Sequence, residues 1–248
     1  RPHAPVAIDA AANGARSRRI GEESAVLLKN EGGLLPLDAA SAGRILIVGQ
    51  KDFVDDACQG GGGSSKVTPL YTVSPVDGMR DVLAGLGSAA TVETFTVARD
   101  LSNLDAAVAA ASTADTVIIM AGVVATEGAD RPSIAMTDDQ DAMVSALLGH
   151  VGRTVVVLKD ASPVLMPWLD RAPAVLEAWN QGAEDGHVVA DLLFGVVNPS
   201  GKLPTTYPRS EDDTIHAGRP ERYPGVDAGE GFPTITYSEG REIGYRWH

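Results

Sequence analysis

Glu127 is the residue of this 248-residue sequence best placed for acid–base chemistry. It lies in TVIIMAGVVATEGADR, residues 116–131, where an apolar run of buried-strand type gives way to a glycine-bounded loop. A carboxyl group so placed can be partly desolvated, which raises its pKa, and can still reach an oxygen to which it gives a proton. An ordinary loop glutamate capping the next segment fits the pattern as well, so both readings stand. Asp130 and Arg131 are adjacent opposite charges, and their expected task is to brace the loop.

A second candidate is the loop at Gly60–Lys66, GGGGSSK. It is not a P-loop, because no Gly precedes Lys66, no Ser or Thr follows it, and the run starts well beyond a strand. No GxGxxG follows Val48, so the dinucleotide fingerprint fails too. A flexible surface loop remains open, as does a loop whose glycines let backbone approach a ligand while Ser64 and Ser65 offer hydroxyls. GxSxG and HExxH are absent, and the five histidines are scattered. Nothing has zinc-ligand spacing, and Cys58 reads as a loop or core thiol. No metal or cofactor is called for.

These loops need strands to carry them. Arg44–Val48, Val92–Val97, Thr116–Ala121, Thr154–Leu158 and Ala174–Trp179 read as strands, mostly continuous apolar runs. Helical spacing alternates with them over Pro75–Leu86, Leu104–Ala111, Asp138–His150 and Glu184–Phe194, with a short helix at Pro163–Leu169. A further helix is expected from Arg16 to the Asn30-Glu31-Gly32-Gly33 stop, and residues 1–15 read as a connector. The alternation predicts an α/β fold, a mostly parallel sheet of about six strands sandwiched between helices. An antiparallel edge strand is expected at Glu242–Trp247. Loops after Val48, Ala121, Lys159-Asp160 and Trp179 should then share one edge of the sheet, where sites form in such folds.

Composition narrows the partners. A net charge of −13 argues against nucleic acid and anionic membranes. No apolar run approaches the roughly 20 residues of a membrane span. With one cysteine no internal disulfide forms, and the compartment stays open. The start at Arg1 and end at His248 suggest a fragment or processed chain, so the missing signal peptide is not evidence for the cytoplasm; the location is unknown, with secreted or periplasmic slightly favoured.

Five segments together carry a resemblance: ESAVLLKNEGGLLPL (23–37), GGGGSSKVTP (60–69), TEGADR (126–131), AWNQGAEDGHVVADLLFGVVNPSGKLPTTYP (178–208) and YSEGREIGYRW (237–247). In this order they resemble the C-terminal α/β-sandwich domain of family 3 glycoside hydrolases, β-glucosidases and relatives. The resemblance implies that Glu127, three residues before Asp130, is the catalytic acid/base. It also implies that Gly62, Gly63, Ser64, Ser65 and Lys66 border the substrate. The nucleophile of such enzymes is an Asp in a preceding (β/α)8 barrel, and no Asp-Trp or Asp-Tyr pair occurs here. A barrel of about 250 residues does not fit in this chain beside the sheet. The implied partners are therefore that barrel, as a domain or chain of the same enzyme, and a β-glycoside; a homo-oligomer stays open. Residues 16–248 would form the acid/base-bearing domain. Two rivals remain: a non-catalytic carbohydrate-binding or scaffolding module, and a nucleotide-binding α/β domain.

Overall fold

The structure, a computed structural model, describes residues 7–58, 61–149 and 152–247. Gly60 and His150, named above, lie outside them, as does the side chain of Ser65.

Six strands form one sheet: β1 (Val26–Asn30), β2 (Arg44–Gln50), β3 (Thr91–Val97), β4 (Thr116–Gly122), β5 (Thr154–Lys159) and β6 (Ala174–Glu177). Their order across the sheet is β1-β6-β5-β4-β2-β3. Neighbours from β6 to β3 are parallel, and β1 is antiparallel to β6. The helices are α1 (Ala10–Ser24), α2 (Lys51–Val54), α3 (Pro75–Gly85), α4 (Leu104–Ala111), α5 (Gln140–Leu147) and α6 (Asp185–Leu193).

Strand side chains alternate between faces, and each face of this sheet has its own core. Ile45, Ile47, Ile118, Met120, Val155 and Val157 pack with Met79 and Leu83 of α3 and with Val188, Val189 and Leu192 of α6. Leu46, Val48, Val117, Ile119, Val156 and Leu158 pack with Ala107 and Ala111 of α4 and with Met143, Val144 and Leu147 of α5. That is why the central strands are apolar without alternation. Each buried aliphatic side chain contributes about 1.5–3 kcal/mol. Among the described residues no helix is long and apolar enough to cross a membrane.

Three expectations are corrected. Helix α1 starts at Ala10, where Asp9 accepts a hydrogen bond from the Ala12 amide at 2.9 Å, and it ends at Ser24. Ala25 turns extended, and Val26–Asn30 become the antiparallel edge strand rather than the end of a helix. The predicted edge strand at Glu242–Trp247 is instead a turn, with amide bonds from Arg246 to Ile243 and from Trp247 to Gly244. Its alternating Ile243, Tyr245 and Trp247 find no strand to pair with and stay exposed. No helix forms over Pro163–Leu169; Leu169–Arg171 make one 3-10 turn. Pro167 has no amide proton to give such a helix and disfavours helical backbone at the residue before it.

Candidate active site

The strand order reverses direction at β2. From β2 the chain passes through α3 to β3 on one side; from β3 it returns through α4 to β4 on the other. Helix α3, which follows β2, and helix α5, which follows β4, accordingly pack on opposite faces. Loops leaving the C-terminal ends of β2 and β4 thus diverge, and the crevice between them is the switch point where α/β sheets bind ligands. The glycine-rich loop follows β2 and α2, and Glu127 follows β4.

The end of β4 is pinned before the loop begins. Gln140, buried at the start of α5, accepts from the Gly122 amide at 3.0 Å and donates to the Gly122 carbonyl at 2.8 Å. Beyond it the two loops touch backbone to backbone. Gly62 and Thr126 form a parallel bridge, and the Glu127 amide donates to the Gly62 carbonyl at 3.5 Å. A Cβ at Gly61 would lie 1.2 Å from the Ala125 carbonyl oxygen. At Gly63, where φ is +82°, it would lie 2.4 Å from the Glu127 Cβ. Glycine is required here so that one loop can lie against the other.

Ser64 completes the contact. Its amide donates to Oε2 of Glu127 at 2.6 Å, and its hydroxyl donates to the same oxygen. The hydroxyl first, and then the amide, hold the Glu127 carboxyl below its usual range. The raised pKa expected of a desolvated proton donor is thus not met in this chain. The side chain is exposed, and hydrogen bonds to the charged form outweigh the small burial. Lys66 is exposed.

Asp130 and Arg131 point to different partners. Tyr223 donates its hydroxyl to Asp130 at 3.3 Å. Arg131 donates to the Ser162 hydroxyl at 2.7 Å and to the carbonyls of Ala135 and Pro163 at 3.1 and 3.3 Å. It therefore ties the Glu127 loop to the loop after β5. Burial pulls its pKa down despite the nearby charges of Asp160 and Glu211.

Under this edge lie buried charges that the sequence reading did not single out as a group. Lys159 ends β5 fully buried, ion-paired with Asp185 at the start of α6, and it also donates to the Phe53 carbonyl at 3.3 Å. Asp185 accepts from the Cys58 amide at 3.1 Å, and burial pushes its carboxyl up. Asp160 and Glu177 are also fully buried. The Tyr207 hydroxyl sits 3.1 Å from the first and 2.7 Å from the second. Burial, and then the charge of Asp160, push Glu177 up to about 9. Burial pushes Asp160 up as well. Both carboxyls are thereby pushed toward the protonated form. The one sequence signal for the group was Lys159-Asp160 at a predicted strand end. Gln140 and Tyr207 left none. Among the described residues no cluster of His, Cys, Asp and Glu could hold a metal ion.

Residues 25–245 match the family model described as the glycosyl hydrolase family 3 C-terminal domain. The chain is 35% identical over 240 residues to thermostable β-glucosidase B of Acetivibrio thermocellus, covering 94% of this chain and 30% of that protein. It is 38% identical over 147 residues to the probable β-glucosidase J of Aspergillus fumigatus, covering 57% of this chain and 16% of that one. The β-glucosidase DesR of Streptomyces venezuelae, solved in complex with D-glucose, superposes with a TM-score of 0.87 at 27% identity, over 100% of this chain and 44% of that one. A family 3 β-glucosidase of Bifidobacterium adolescentis superposes with a TM-score of 0.80 at 30% identity, over 97% of this chain and 34% of that one. The chain thus spans a third or less of the curated relatives it matches.

Proposed function

Because this chain belongs to glycosyl hydrolase family 3, as its C-terminal domain, we propose that it carries the acid/base of a retaining β-glycosidase acting on terminal β-D-glucosyl or related residues. The observation that carries the reading is the placement of Glu127. It is an exposed carboxyl at the switch-point crevice, held by a loop built to lie against it. The names of the relatives supply the substrate class.

Glu127 protonates the leaving glycosidic oxygen while a carboxylate of a barrel domain attacks the anomeric carbon. The resulting Glu127 carboxylate then takes a proton from water, which attacks the glycosyl-enzyme and releases the sugar with its configuration retained. Retention needs the two carboxyl groups about 5–5.5 Å apart. The nucleophile lies outside this chain, so the site forms only when the two domains dock. Docking also supplies the desolvation that Glu127 lacks here. Val124, an exposed apolar residue just past β4, suits such cover.

The test is Glu127→Ala in the enzyme that joins this chain to its barrel. Turnover of glycosides with poor leaving groups should fall by about 10²–10⁴-fold. Azide should partly restore turnover of activated glycosides, as a nucleophile that needs no base. Unchanged activity would remove Glu127 from the mechanism and leave a carbohydrate-binding or scaffolding module as the better reading.

A further inference from the structure

Both hydrogen bonds from Ser64 to Glu127 end on one oxygen, Oε2. Among the described residues nothing donates to Oε1 within hydrogen-bond distance. We propose that Ser64 is a positioning residue for the acid/base: it clamps Oε2 and leaves Oε1 as the oxygen that carries the transferred proton. The inference rests on the assignment of Glu127 made above.

A glutamate on an exposed loop has three side-chain torsions to fix, and each free rotamer costs effective concentration at the reacting oxygen. Here the loop contact through Gly62 and Gly63 fixes the backbone, and Ser64 fixes the carboxyl. The hydroxyl proton is spent on Glu127. Ser64 therefore acts through that residue rather than by donating to a sugar. Its clamp serves the two half-reactions differently. When Glu127 is a carboxylate, awaiting water, both donors hold it. When Glu127 is the acid with its proton on Oε1, Oε2 still accepts both, more weakly. Ser64 thus favours the base form and draws the pKa down.

The elements against Glu127 are the glycine-rich loop and its own loop. Their nearest charged side chains in sequence are Lys66 and Asp130. Neither is among the causes that shift Glu127, whereas Ser64 is the whole of the downward push. The sign of the test follows. Glycosylation needs Glu127 protonated, so the basic limb of kcat/KM follows its pKa.

The experiment is a pH profile of kcat/KM for the two-domain enzyme bearing Ser64→Ala or Ser64→Thr, with poor and activated leaving groups. Ser64→Ala should move the basic limb to higher pH. It should also cost roughly tenfold at neutral pH on poor leaving groups, with little change on activated ones. Ser64→Thr keeps the hydroxyl and should hold the limb where the unmodified enzyme has it. A basic limb unmoved by Ser64→Ala, or moved equally by both variants, overturns the proposal. Failure of the underlying assignment looks different: Glu127→Ala would then keep its activity. If Ser64 alone is wrong, Glu127→Ala still loses activity while the limb stays put.

Discussion

Lys159 and Asp185 form an ion pair with no exposed surface, linking the end of β5 to the start of α6. Replacing Lys159 by Met keeps most of the unbranched stem and removes the ammonium group. Asp185 then keeps one donor identified in the structure, the Cys58 amide at 3.1 Å. A buried carboxylate stripped of its cation costs about 3–5 kcal/mol. At typical urea dependences that is a fall of about 1–2 M in the denaturation midpoint. Adding Asp185→Asn removes the orphaned charge and keeps an acceptor for the Cys58 amide, so the double variant should recover most of the loss. The pH dependence gives a second check. Burial already holds the folded pKa of Asp185 above its unfolded value, and without Lys159, which lowers it, the gap widens. The protonated form then supports the fold, fully so below the unfolded pKa, and that support is lost as pH rises through the folded one. The deficit of Lys159→Met relative to the unmodified chain should therefore shrink as pH falls toward about 4. Urea denaturation followed by circular dichroism at neutral and acid pH measures all three chains. A single variant that loses less than about 1 kcal/mol, or a double variant no better than the single, would refute the reasoning.

Glu177 should show the same sign in the unmodified protein. Its folded pKa of about 9 stands above the ordinary 4.5, so its contribution is complete below about 4.5 and drains away toward 9. Glu177→Gln should flatten the fall in stability over that window, as urea midpoints across the range would show. Gly61→Ala puts a Cβ into the Ala125 carbonyl and must push the two loops apart. On an exposed edge this should leave the thermal midpoint within a few degrees, while kcat/KM of the two-domain enzyme falls about tenfold or more. Unchanged kinetics would show that the loop contact does not place Glu127.

The central sheet was legible because two-sided burial writes itself directly into composition. Strands β2, β4 and β5 are apolar runs with few other readings, and their shared direction places Glu127 and the glycine-rich loop on one edge. The glycines and Ser64 were visible as candidates, but their partner was not. Contact between Gly61 and Ala125 spans more than sixty residues of sequence, and no local pattern encodes it. Strand β1 failed for a related reason. Ala25-Val26-Leu27-Leu28 is too short to be typed by periodicity, and only pairing with β6, some 150 residues later, makes it a strand. Residues 242–247 show the converse, since their alternation is strand-like but no edge is offered to them. Buried Lys159, Glu177 and Asp185 were opaque because charge in a sequence reads as surface. Burial becomes apparent only once each has a partner from another element.

The reversal at β2 has a consequence for how freely the site can change. The crevice opens because α3, after β2, and α5, after β4, pack on opposite faces of the sheet, and that follows from the handedness of β–α–β crossovers, itself set by L-amino-acid sterics. No side chain at the rim has to hold it open. Ile47, Ile118 and their neighbours maintain the sheet, with Phe53, Cys58 and Val123 at the loop bases, while the loop tips at Gly63-Ser64 and at residues 126–128 are exposed. A new sequence at those tips can be seated without renegotiating the core. The chemistry of this edge is in that sense a tenant of the fold's chirality.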